Sequence, residues 1–373
     1  MIDCKLPLRA LTLGALAAAG TASAEYGLNL PPPQSPVTRE IFDLHMLTAT
    51  VGLVLMIIVT AIVVYALWKF RKSKGYEADQ NFNSSWFGTF GWILVHVLVL
   101  GIDLSISASA MRTFDLVEDR SEADMTVKVV GSQWKWTYEY LDHDIRVVSN
   151  LKELDPSDPL YLRDVDSPLV LPVGKRIRLL HTATDVLHAW WVPAIAFKKD
   201  SIPGYINETW TEIETEGTYR GQCAENCGTG HGYMPIVVNA VSEDEFKTWL
   251  ADQQAAKAAA AAEASADKTW SLDELMARGE QVYTKACAAC HQANGQGVPN
   301  VFPGLAGSAI ATGDIAAHMD VVLNGKAGTA MQAFGPQLND LELAAVITYE
   351  RNAWGNETGD MVQPADVAAS RNK

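Results

Sequence analysis

Two long apolar segments near the start of the chain limit what the rest of it can fold into. The first runs from Leu44 to Trp68, with His45 as its only ionisable residue, and the second runs from Trp86 to Ala110. Each is long enough to cross a bilayer as a helix, which takes about 20 residues. The second segment also contains His96 and Asp103, which would be costly against lipid, so we expect them to face another protein in the membrane.

The charges and small residues around these segments predict their orientation. The loop between them contains KFRKSK (69–74), and short loops rich in lysine and arginine stay in the cytoplasm. Residues 1–24 have a basic start, an apolar run and a small-residue exit, which is the layout of a secretory signal peptide. Both features predict a two-pass hairpin, residues 25–115, in a bacterial inner membrane, with everything after it on the periplasmic side.

Downstream of the hairpin the pattern changes to short β-strands separated by turn residues. The stretch 125–140 alternates and is rich in β-branched and aromatic residues, and the stretches 167–183 and 204–223 each contain two more strand patterns. This predicts an all-β sandwich or barrel, assigned to residues 120–250, with a short closing helix over 243–250.

An alanine-rich segment of low complexity then marks a domain boundary. Residues 251–270, which include AAKAAAAAEA, are predicted to form a partly helical linker. Helical patterns follow, and we assign residues 271–358 to a small all-α domain and residues 359–373 to a polar tail. The predicted fold class is therefore multidomain, which the length of 373 residues allows.

The segment CAENCGTGHGYM combines several kinds of metal ligand. Cys223 and Cys227 lie four residues apart and are followed by His231 and Met234. In an oxidising compartment the two cysteines could form a disulfide. Thiolate, imidazole and thioether groups are also the soft ligands that suit copper, and a disulfide would leave the histidine and the methionine unexplained. A second imidazole would come from elsewhere in the sheet, and His188 in TDVLHAWWVP is the candidate.

For two other histidines and two tryptophans of this region, the sequence predicts only where they lie in the fold. His181 lies on an alternating strand and is expected at the surface, and His143 is expected in a loop. Trp134 and Trp136 alternate on one predicted strand, so both are expected to face the same side of the sheet.

A second motif, CAACH, has the Cys-x-x-Cys-His spacing of covalent haem attachment. Cys287 and Cys290 would form thioether bonds to the porphyrin, and His291 would bind the iron. The sixth ligand is expected to be Met331, in a glycine-rich loop before the last predicted helix. Met319 lies on an apolar helical pattern and is expected in the core.

Three stretches around the first motif resemble one known family. DVLHAWWVP, GQCAENCGTGHGYMPIVV and GSQWKWTYEY are similar to the periplasmic domain of subunit II of haem–copper cytochrome c oxidases, and the resemblance extends over residues 42–250. It implies a cupredoxin-like sandwich that holds the binuclear copper centre CuA. The implied ligands are Cys223 and Cys227 as bridging thiolates, His188, His231, Met234 and the backbone carbonyl of Glu225.

The same resemblance implies two further roles. The carboxylate of Glu225 would reach toward a magnesium site at the interface with subunit I. Trp134 would lie on the path by which electrons reach the copper centre.

The second motif sits in a stretch, residues 271–355, that resembles a class I cytochrome c. This resemblance implies that Met331 is the distal iron ligand. It also implies that the carbonyl of Pro303 accepts a hydrogen bond from His291, a contact that would fix the imidazole ring. Gly279 matches the position at which the first and last helices of such a domain cross.

Together these resemblances imply the subunit through which electrons enter a terminal respiratory cytochrome c oxidase. Electrons would pass from the c-type haem to CuA and then to subunit I, where oxygen is reduced to water with proton translocation. Expected partners are subunit I, subunit III and a donor, either a soluble or membrane cytochrome c or a quinol–cytochrome c reductase. The net charge of −15, from 44 acidic and 29 basic residues, suits a basic cytochrome as a docking partner and does not suit nucleic acid.

Other interpretations share some of these motifs. A copper and haem c subunit of a related nitric oxide reductase stays open, and so does a membrane-tethered electron carrier or copper store. A nitrous oxide reductase would need a large histidine-rich domain, and quinol oxidase subunits lack the copper cysteines. In one departure from the family pattern, Gly88 replaces a glutamate that marks the mouth of a proton pathway, so we expect protons to enter by another residue or route.

Overall fold

The computed structural model describes residues 27, 29–77, 79–264 and 268–371, and the predicted signal peptide, residues 1–24, lies outside them. Two long helices come first, α1 (Pro36–Lys69) and α2 (Trp86–Val117). Their apolar windows have mean hydropathies of 2.7 and 2.0, and no residue of either window is buried within the protein. Among the described residues these are the two helices long and apolar enough to cross a membrane, as the sequence predicts.

Both helices extend past the predicted spans at the end that faces the next domain. Helix α1 begins at Pro36 because Ser35 caps it: the Ser35 hydroxyl accepts a hydrogen bond from the backbone N–H of Thr38 at 3.2 Å, and the Thr38 hydroxyl accepts one in return. The last turn of α2 is tied to the β domain, where Trp210 Nε1 donates to the carbonyl of Leu116 at 2.9 Å.

The β domain contains three sheets. Its strands are β1 (Met125–Ser132), β2 (Lys135–Tyr140), β3 (Ile145–Ser149), β4 (Leu169–Pro172), β5 (Arg176–Ala183), β6 (His188–Trp190), β7 (Lys199–Ser201), β8 (Asn207–Glu212), β9 (Gly217–Gln222) and β10 (Pro235–Val241). One sheet has the order β3-β2-β1-β5-β8, a second has the order β4-β10-β9, and β6 pairs with β7. The pairs β1–β5 and β4–β10 are parallel, and the other pairs are antiparallel.

Every second side chain along the strands points into the space between the sheets and fills it. Strand β5 shows it most regularly, because every second residue from Ile177 to Ala183 is buried. Trp136, Tyr138 and Trp190 are fully buried in the same core. These large aromatic side chains pack the sheets against each other and confirm the predicted sandwich.

Two positions in this domain differ from expectation. Trp134 lies in the turn between β1 and β2 and not on a strand, so it does not share a face with Trp136. The prediction of a surface position for His181 is wrong: its side chain is fully buried, and Nε2 is 2.8 Å from the hydroxyl of Thr209. His181 lies on the same face of β5 as Ile177 and Leu179, and this is the face that packs into the core.

The predicted closing helix and linker form one element. Helix α3 runs without interruption over Glu243–Ala264, because the alanine-rich stretch has high helix propensity. Lys257, near its middle, is tied to both the carbonyl and the carboxylate of Asp144 in the turn before β3. The linker is therefore held against the sandwich over part of its length.

The C-terminal domain is helical, as predicted. Its helices are α4 (Leu272–Ala286), α5 (Ala288–His291), α6 (Ala309–Thr312), α7 (Ile315–Asn324), α8 (Asp340–Asn352) and α9 (Pro364–Arg371). Capping boxes at Ser271 and Asn339 start α4 and α8. These two helices cross closely at Gly279, where a Cβ atom would lie 2.2 Å from the carbonyl oxygen of Ala345. Met319 is buried in the core of this domain, as predicted.

Residues 359–371 correct the prediction of a polar tail. They contain helix α9, and Val362 and Val367 are buried in the core of the helical domain. Arg371 donates to the carbonyls of Gly335 and Leu338, which closes this helix over the loop before α8. Two valines five residues apart in a charged and polar stretch do not form a hydrophobic pattern, so the sequence does not predict that this segment packs on the core.

Candidate metal centres

The first candidate site is the loop that connects β9 to β10. Its base is closed by a backbone hydrogen bond from Cys223 to the carbonyl of Met234 at 3.1 Å. The next residue, Ala224, donates to Ala189 at 2.9 Å, which joins the loop to strand β6 and brings His188 beside it. Residues distant in sequence are therefore brought together by the sheet.

Two sulfurs and two imidazoles meet in this loop. The Sγ atoms of Cys223 and Cys227 are 3.8 Å apart, whereas a disulfide bond is about 2.05 Å long, so both cysteines are free. Nδ1 of His188 is 3.9 Å from the sulfur of Cys223, and Nδ1 of His231 is 3.5 Å from the sulfur of Cys227. The donor atoms of His188, Cys223 and Cys227 all lie within 4.8 Å of one another.

The remaining two predicted ligands lie around the same sulfurs. Met234 is 1 % exposed and belongs to the hydrophobic core next to the cysteines. The carbonyl oxygen of Glu225 is 3.3 Å from the sulfur of Cys223, while its carboxylate lies 3.6 Å from the ammonium group of Lys198 at the surface. The donor set of two thiols, two imidazoles, a thioether and a carbonyl fits copper chemistry.

A carboxylate that the sequence analysis missed orients one of the imidazoles. Asp185 Oδ1 lies 2.9 Å from Nε2 of His188, and its Oδ2 accepts the backbone N–H of Gln133 at 2.7 Å. Nε2 therefore carries the proton of a neutral ring, and Nδ1 is left free to bind a metal beside the sulfurs. Burial alone would lower the pKa of His188, but hydrogen bonds to Asp185 and Cys223 raise it above its ordinary value. The only sequence signal is an aspartate three residues before a candidate ligand.

The hydrogen bond between the two thiols shifts their pKa values in opposite directions. It is the main cause that lowers the pKa of the Cys223 thiol, with His188 acting in the same direction, and it raises the pKa of the Cys227 thiol. Since the thiolate is the metal-binding form of cysteine, the sulfur of Cys223 is the one prepared for metal binding before a metal arrives.

Trp134 covers the loop from outside. Its Nε1 donates to the carbonyl of Cys227 at 3.1 Å, and Nε2 of Gln133 donates to the same oxygen at 2.8 Å. The indole lies so close to Gly230 that a Cβ atom there would be 2.2 Å from the ring. The other side of the indole meets Phe302 of the helical domain, with ring centroids 5.7 Å apart and planes at 80°.

The second candidate site lies where α4 ends. Cys287 and Cys290 are free; Cys287 is the N-cap of the single turn α5, and Cys290 lies within that turn, next to His291. Nδ1 of His291 lies 2.9 Å from the carbonyl of Pro303, as the resemblance implies, so Nε2 is left for an iron atom. Met331 is half-buried in the loop between α7 and α8 and packs against the apolar core of the same domain. These residue types and positions fit a covalently attached haem.

The face of the helical domain that bears these cysteines is turned toward the sandwich. Lys135, next to Trp134, is 6 % exposed and lies 5.4 Å from the ring centroid of Phe334. Burial lowers the pKa of Lys135, and its charge acts on both Cys287 and Cys290. At the edge of the same contact, an Arg146 guanidinium N–H donates to the carbonyl of Gln337 at 2.9 Å and Thr184 Oγ1 lies 3.5 Å from Gln332 Oε1.

Comparisons with known proteins match both domains that carry these sites. Residues 125–241 match the family described as cytochrome C oxidase subunit II, periplasmic domain, and residues 274–349 match the family described as cytochrome C oxidase, cbb3-type, subunit III. A probable cytochrome c oxidase subunit 2 of Rickettsia bellii is 36 % identical over 232 residues, which cover 61 % of this chain and 84 % of that protein.

Two further relatives extend the comparison. The cytochrome c oxidase subunit 2 of Cereibacter sphaeroides is 32 % identical over 244 residues, covering 60 % of this chain and 79 % of that protein. The chain also aligns with a crystal structure of the periplasmic domain of subunit II of cytochrome oxidase of Bradyrhizobium japonicum. The sequence identity is 39 %, the alignment covers 36 % of this chain and 95 % of that one, and the TM-score is 0.34.

Proposed function

The chain belongs to the cytochrome c oxidase subunit II family and is an electron-transfer subunit of a haem–copper oxidase, and from that premise we propose how it works. Electrons enter at a c-type haem on the C-terminal domain, move to a binuclear copper centre on the sandwich, and leave for the catalytic subunit I. Oxygen is reduced to water there, with proton translocation. Subunit III and a cytochrome c or quinol–cytochrome c reductase as donor complete the proposed set of partners.

The copper ligands we propose are those gathered in the β9–β10 loop and on β6. Cys223 and Cys227 would bridge, and His188, His231, Met234 and the carbonyl of Glu225 would complete the site. Bound copper supplies a one-electron acceptor in this position. Burial of the sulfurs excludes water from it, since Cys223 and Cys227 are 3 % and 2 % exposed. The surface position of the Glu225 carboxylate supports its proposed role as a magnesium ligand at the interface with subunit I.

The haem ligands we propose are those of the second motif. Cys287 and Cys290 would carry the thioether bonds, and His291 and Met331 would bind the iron. Pro303 holds the imidazole in the orientation that points Nε2 away from the backbone. Attached haem supplies a one-electron carrier on the face that meets the sandwich.

One observation carries the proposal: Trp134 contacts a proposed copper ligand on one side and, in the helical domain, the residue next to Pro303. Its Nε1 reaches the backbone of the proposed ligand Cys227, and its ring meets Phe302, the neighbour in sequence of Pro303. The contact is made within one chain, so the linker supplies an effective concentration on the order of millimolar and docking needs little affinity of its own. This supports Trp134 as the residue through which the two domains exchange electrons.

We also propose a membrane arrangement that is consistent with this function. Helices α1 and α2 anchor the protein in the inner membrane of a bacterium, with both cofactor domains in the periplasm. The proposed domain division is a signal peptide over 1–24, the hairpin over 25–115, the sandwich over 120–250 and the cytochrome domain from 271. We include helix α9 in the last domain.

The experiment that tests this function is isolation of the full chain from native membranes by an affinity tag. We expect covalent haem in denaturing gels, copper with a mixed-valence spectrum delocalised over two ions, and a co-purified larger subunit with cytochrome c oxidase activity. A preparation with neither covalent haem nor copper, or one whose partner reduces nitric oxide and not oxygen, would contradict the proposal.

A further inference from the structure

A buried pair of titratable side chains in the helical domain has no part in the function proposed above. His318 on α7 and Glu350 on α8 have side chains that are 2 % and 5 % exposed, and Nε2 of the histidine lies 2.8 Å from a carboxylate oxygen of the glutamate. Around them the domain core is apolar, with Met319, Val322 and Ile347 among its buried members. Burying such a pair costs several kcal/mol of desolvation per charged group, and hydrocarbon side chains of similar volume would fill the space at less cost.

The pair lies beside the proposed point of haem attachment. The Glu350 carboxylate acts on the thiol of Cys287 through its charge and through a hydrogen bond, and its charge also reaches the phenol of Tyr283. Cys287 is itself 8 % exposed and belongs to the same core. A charge on the pair would therefore act on attached haem through a medium of low dielectric, where electrostatic interactions are strong.

One nitrogen of the pair is left without a partner. When Glu350 is ionised, Nε2 of His318 must donate to it, and Nδ1 then presents a bare lone pair. Nδ1 is buried and has no hydrogen-bond partner. A proton on this atom would change the net charge of the pair from −1 to 0 without moving either side chain.

The surrounding groups do not take over this role. On α4 the neighbours are Tyr283, whose pKa burial raises, the exposed Glu280 and Lys285, and Cys287 at its end, which as a thioether no longer titrates. On α8 they are Tyr349, whose pKa is also raised by burial, and Arg351, whose charge is paired with Asp360. The other charged groups on the packed elements are Asp273, Glu274 and Arg278 on α4, Asp314 at the N-cap of α7, Asp320 on α7, Asp340 and Glu342 on α8, and Asp366 and Arg371 on α9.

We infer that the His318–Glu350 pair binds a proton when the attached haem is reduced and releases it when the haem is oxidised. An electron from the external donor removes one unit of positive charge from the haem site, and one proton from solvent forms an N–H bond at Nδ1 of His318. Oxidation reverses both changes, and no other bond is made or broken. The inference rests on the proposed haem attachment at Cys287 and Cys290.

The test is a potentiometric titration of the haem absorbance in the full chain at a series of pH values. With one proton bound per electron, the reduction equilibrium changes tenfold per pH unit, which is 59 mV for a one-electron couple. We expect the midpoint potential to fall with rising pH at up to this slope over part of the range. The Glu350→Gln variant should flatten the slope, and Asp320→Asn, which changes an exposed carboxylate on the helix that carries His318, should retain it.

The outcomes separate this inference from the function it rests on. A flat profile in the wild-type chain, or a slope that Glu350→Gln leaves unchanged, overturns the inference while haem attachment stands. A chain with no covalent haem overturns the proposed function first. If Glu350→Gln does not fold, the double variant His318→Leu with Glu350→Met replaces the pair by hydrocarbon, and retention of the slope there contradicts the inference.

Discussion

Two parts of the chain are organised in different ways: the loop between β9 and β10 (residues 223–234), called the copper loop below, and the segment with the proposed haem attachment (residues 287–291), called the haem-attachment segment. In the loop, backbone hydrogen bonds from Cys223 and Ala224 and two side-chain bonds to the carbonyl of Cys227 hold the donor atoms together. In the helical domain, His291 is fixed to Pro303, but Met331 belongs to a separate loop. The first site is built by a sheet, and the second is built by a helical turn and loops from separate parts of the domain.

The difference teaches how each domain depends on its cofactor. A site whose ligands are already positioned has a higher affinity for its metal. The domain that carries such a site does not need the metal in order to fold. A domain whose core has to enclose a large group gains folding free energy when that group binds. We therefore expect loss of haem to damage its own domain more than loss of copper damages the sandwich.

The largest expected effect is on domain stability after removal of each cofactor. The double variant Cys287→Ala with Cys290→Ala should lower the unfolding free energy of the helical domain by about 3–5 kcal/mol or more, because the core loses its apolar contacts with the haem, as it does when a large buried aromatic side chain is removed. Cys227→Ser should abolish the mixed-valence copper spectrum but cost the sandwich only about 1 kcal/mol.

The measurement is calorimetric unfolding of the full chain, with hydrogen exchange to assign each transition to a domain. The haem-free variant should keep the copper spectrum, and the copper-free variant should keep the haem absorbance. Equal losses of stability in the two domains would break the comparison.

A smaller effect is expected from the carboxylate behind the copper loop. Asp185→Asn keeps the size of the side chain but weakens the acceptor that orients His188, so copper affinity should fall about 10–100-fold. Competition with a copper chelator measures this affinity. Asp155→Asn, in an exposed turn, is the matched control and should leave it unchanged. An affinity equal to the wild type in Asp185→Asn would show that the sheet alone positions the imidazole.

The sequence predicts the copper and haem motifs well because both are short. Cys223 to Met234 are neighbours along the chain, so their spacing reports a shared loop. Asp185, Lys135 and Phe302 were missed because their importance comes from contacts between distant elements, which no local pattern encodes.

The same reasoning explains the corrected positions. His181 lies on the face of β5 that packs into the core with Ile177 and Leu179, and its polar side chain led to the wrong prediction of a surface position. Helix α9 depends on two buried valines in a polar stretch, and α3 continues because nothing in the alanine-rich segment breaks a helix. Local helix propensity predicts that such segments are helical, but it does not predict which other elements they contact.

Two glycines of the copper loop give a matched pair for the contact with Trp134. Gly230→Ala places a Cβ atom 2.2 Å from the indole, so the ring must move and the sandwich should lose about 1–3 kcal/mol of stability. Gly232→Ala meets no atom within 4 Å and should change stability by less than about 0.5 kcal/mol. Chemical denaturation of the two variants measures the difference. Equal effects would mean that the loop does not hold Trp134 in this position.

The smallest expected effect is a pH dependence that belongs to the sandwich. Burial is the main cause that lowers the pKa of His181 from 6.5 to about 3, with the charge of Lys199 acting the same way. The unfolded chain therefore binds a proton below pH 6.5 that the folded chain does not, and stability falls as the pH decreases from 6.5 toward 3. Near pH 6 the loss should be about 1 kcal/mol.

Denaturation of the wild type and of His181→Asn between pH 5 and 8 checks this dependence. The variant should lose the part of the acid destabilisation that belongs to His181. His143→Asn removes a histidine from a turn and serves as the control. If both variants follow the wild-type curve, His181 is not the group responsible.

The central claim is that electrons pass between the two domains of one chain through the contact at Trp134. It is tested most directly by rapid reduction of the haem in the purified chain, followed by the absorbance of the copper centre at several protein concentrations. We predict a rate of copper reduction that does not depend on protein concentration and that falls in Trp134→Leu, while Cys287→Ala with Cys290→Ala loses fast reduction by the native donor. A rate that rises in proportion to concentration, or wild-type copper reduction by that donor without the haem, would contradict the account.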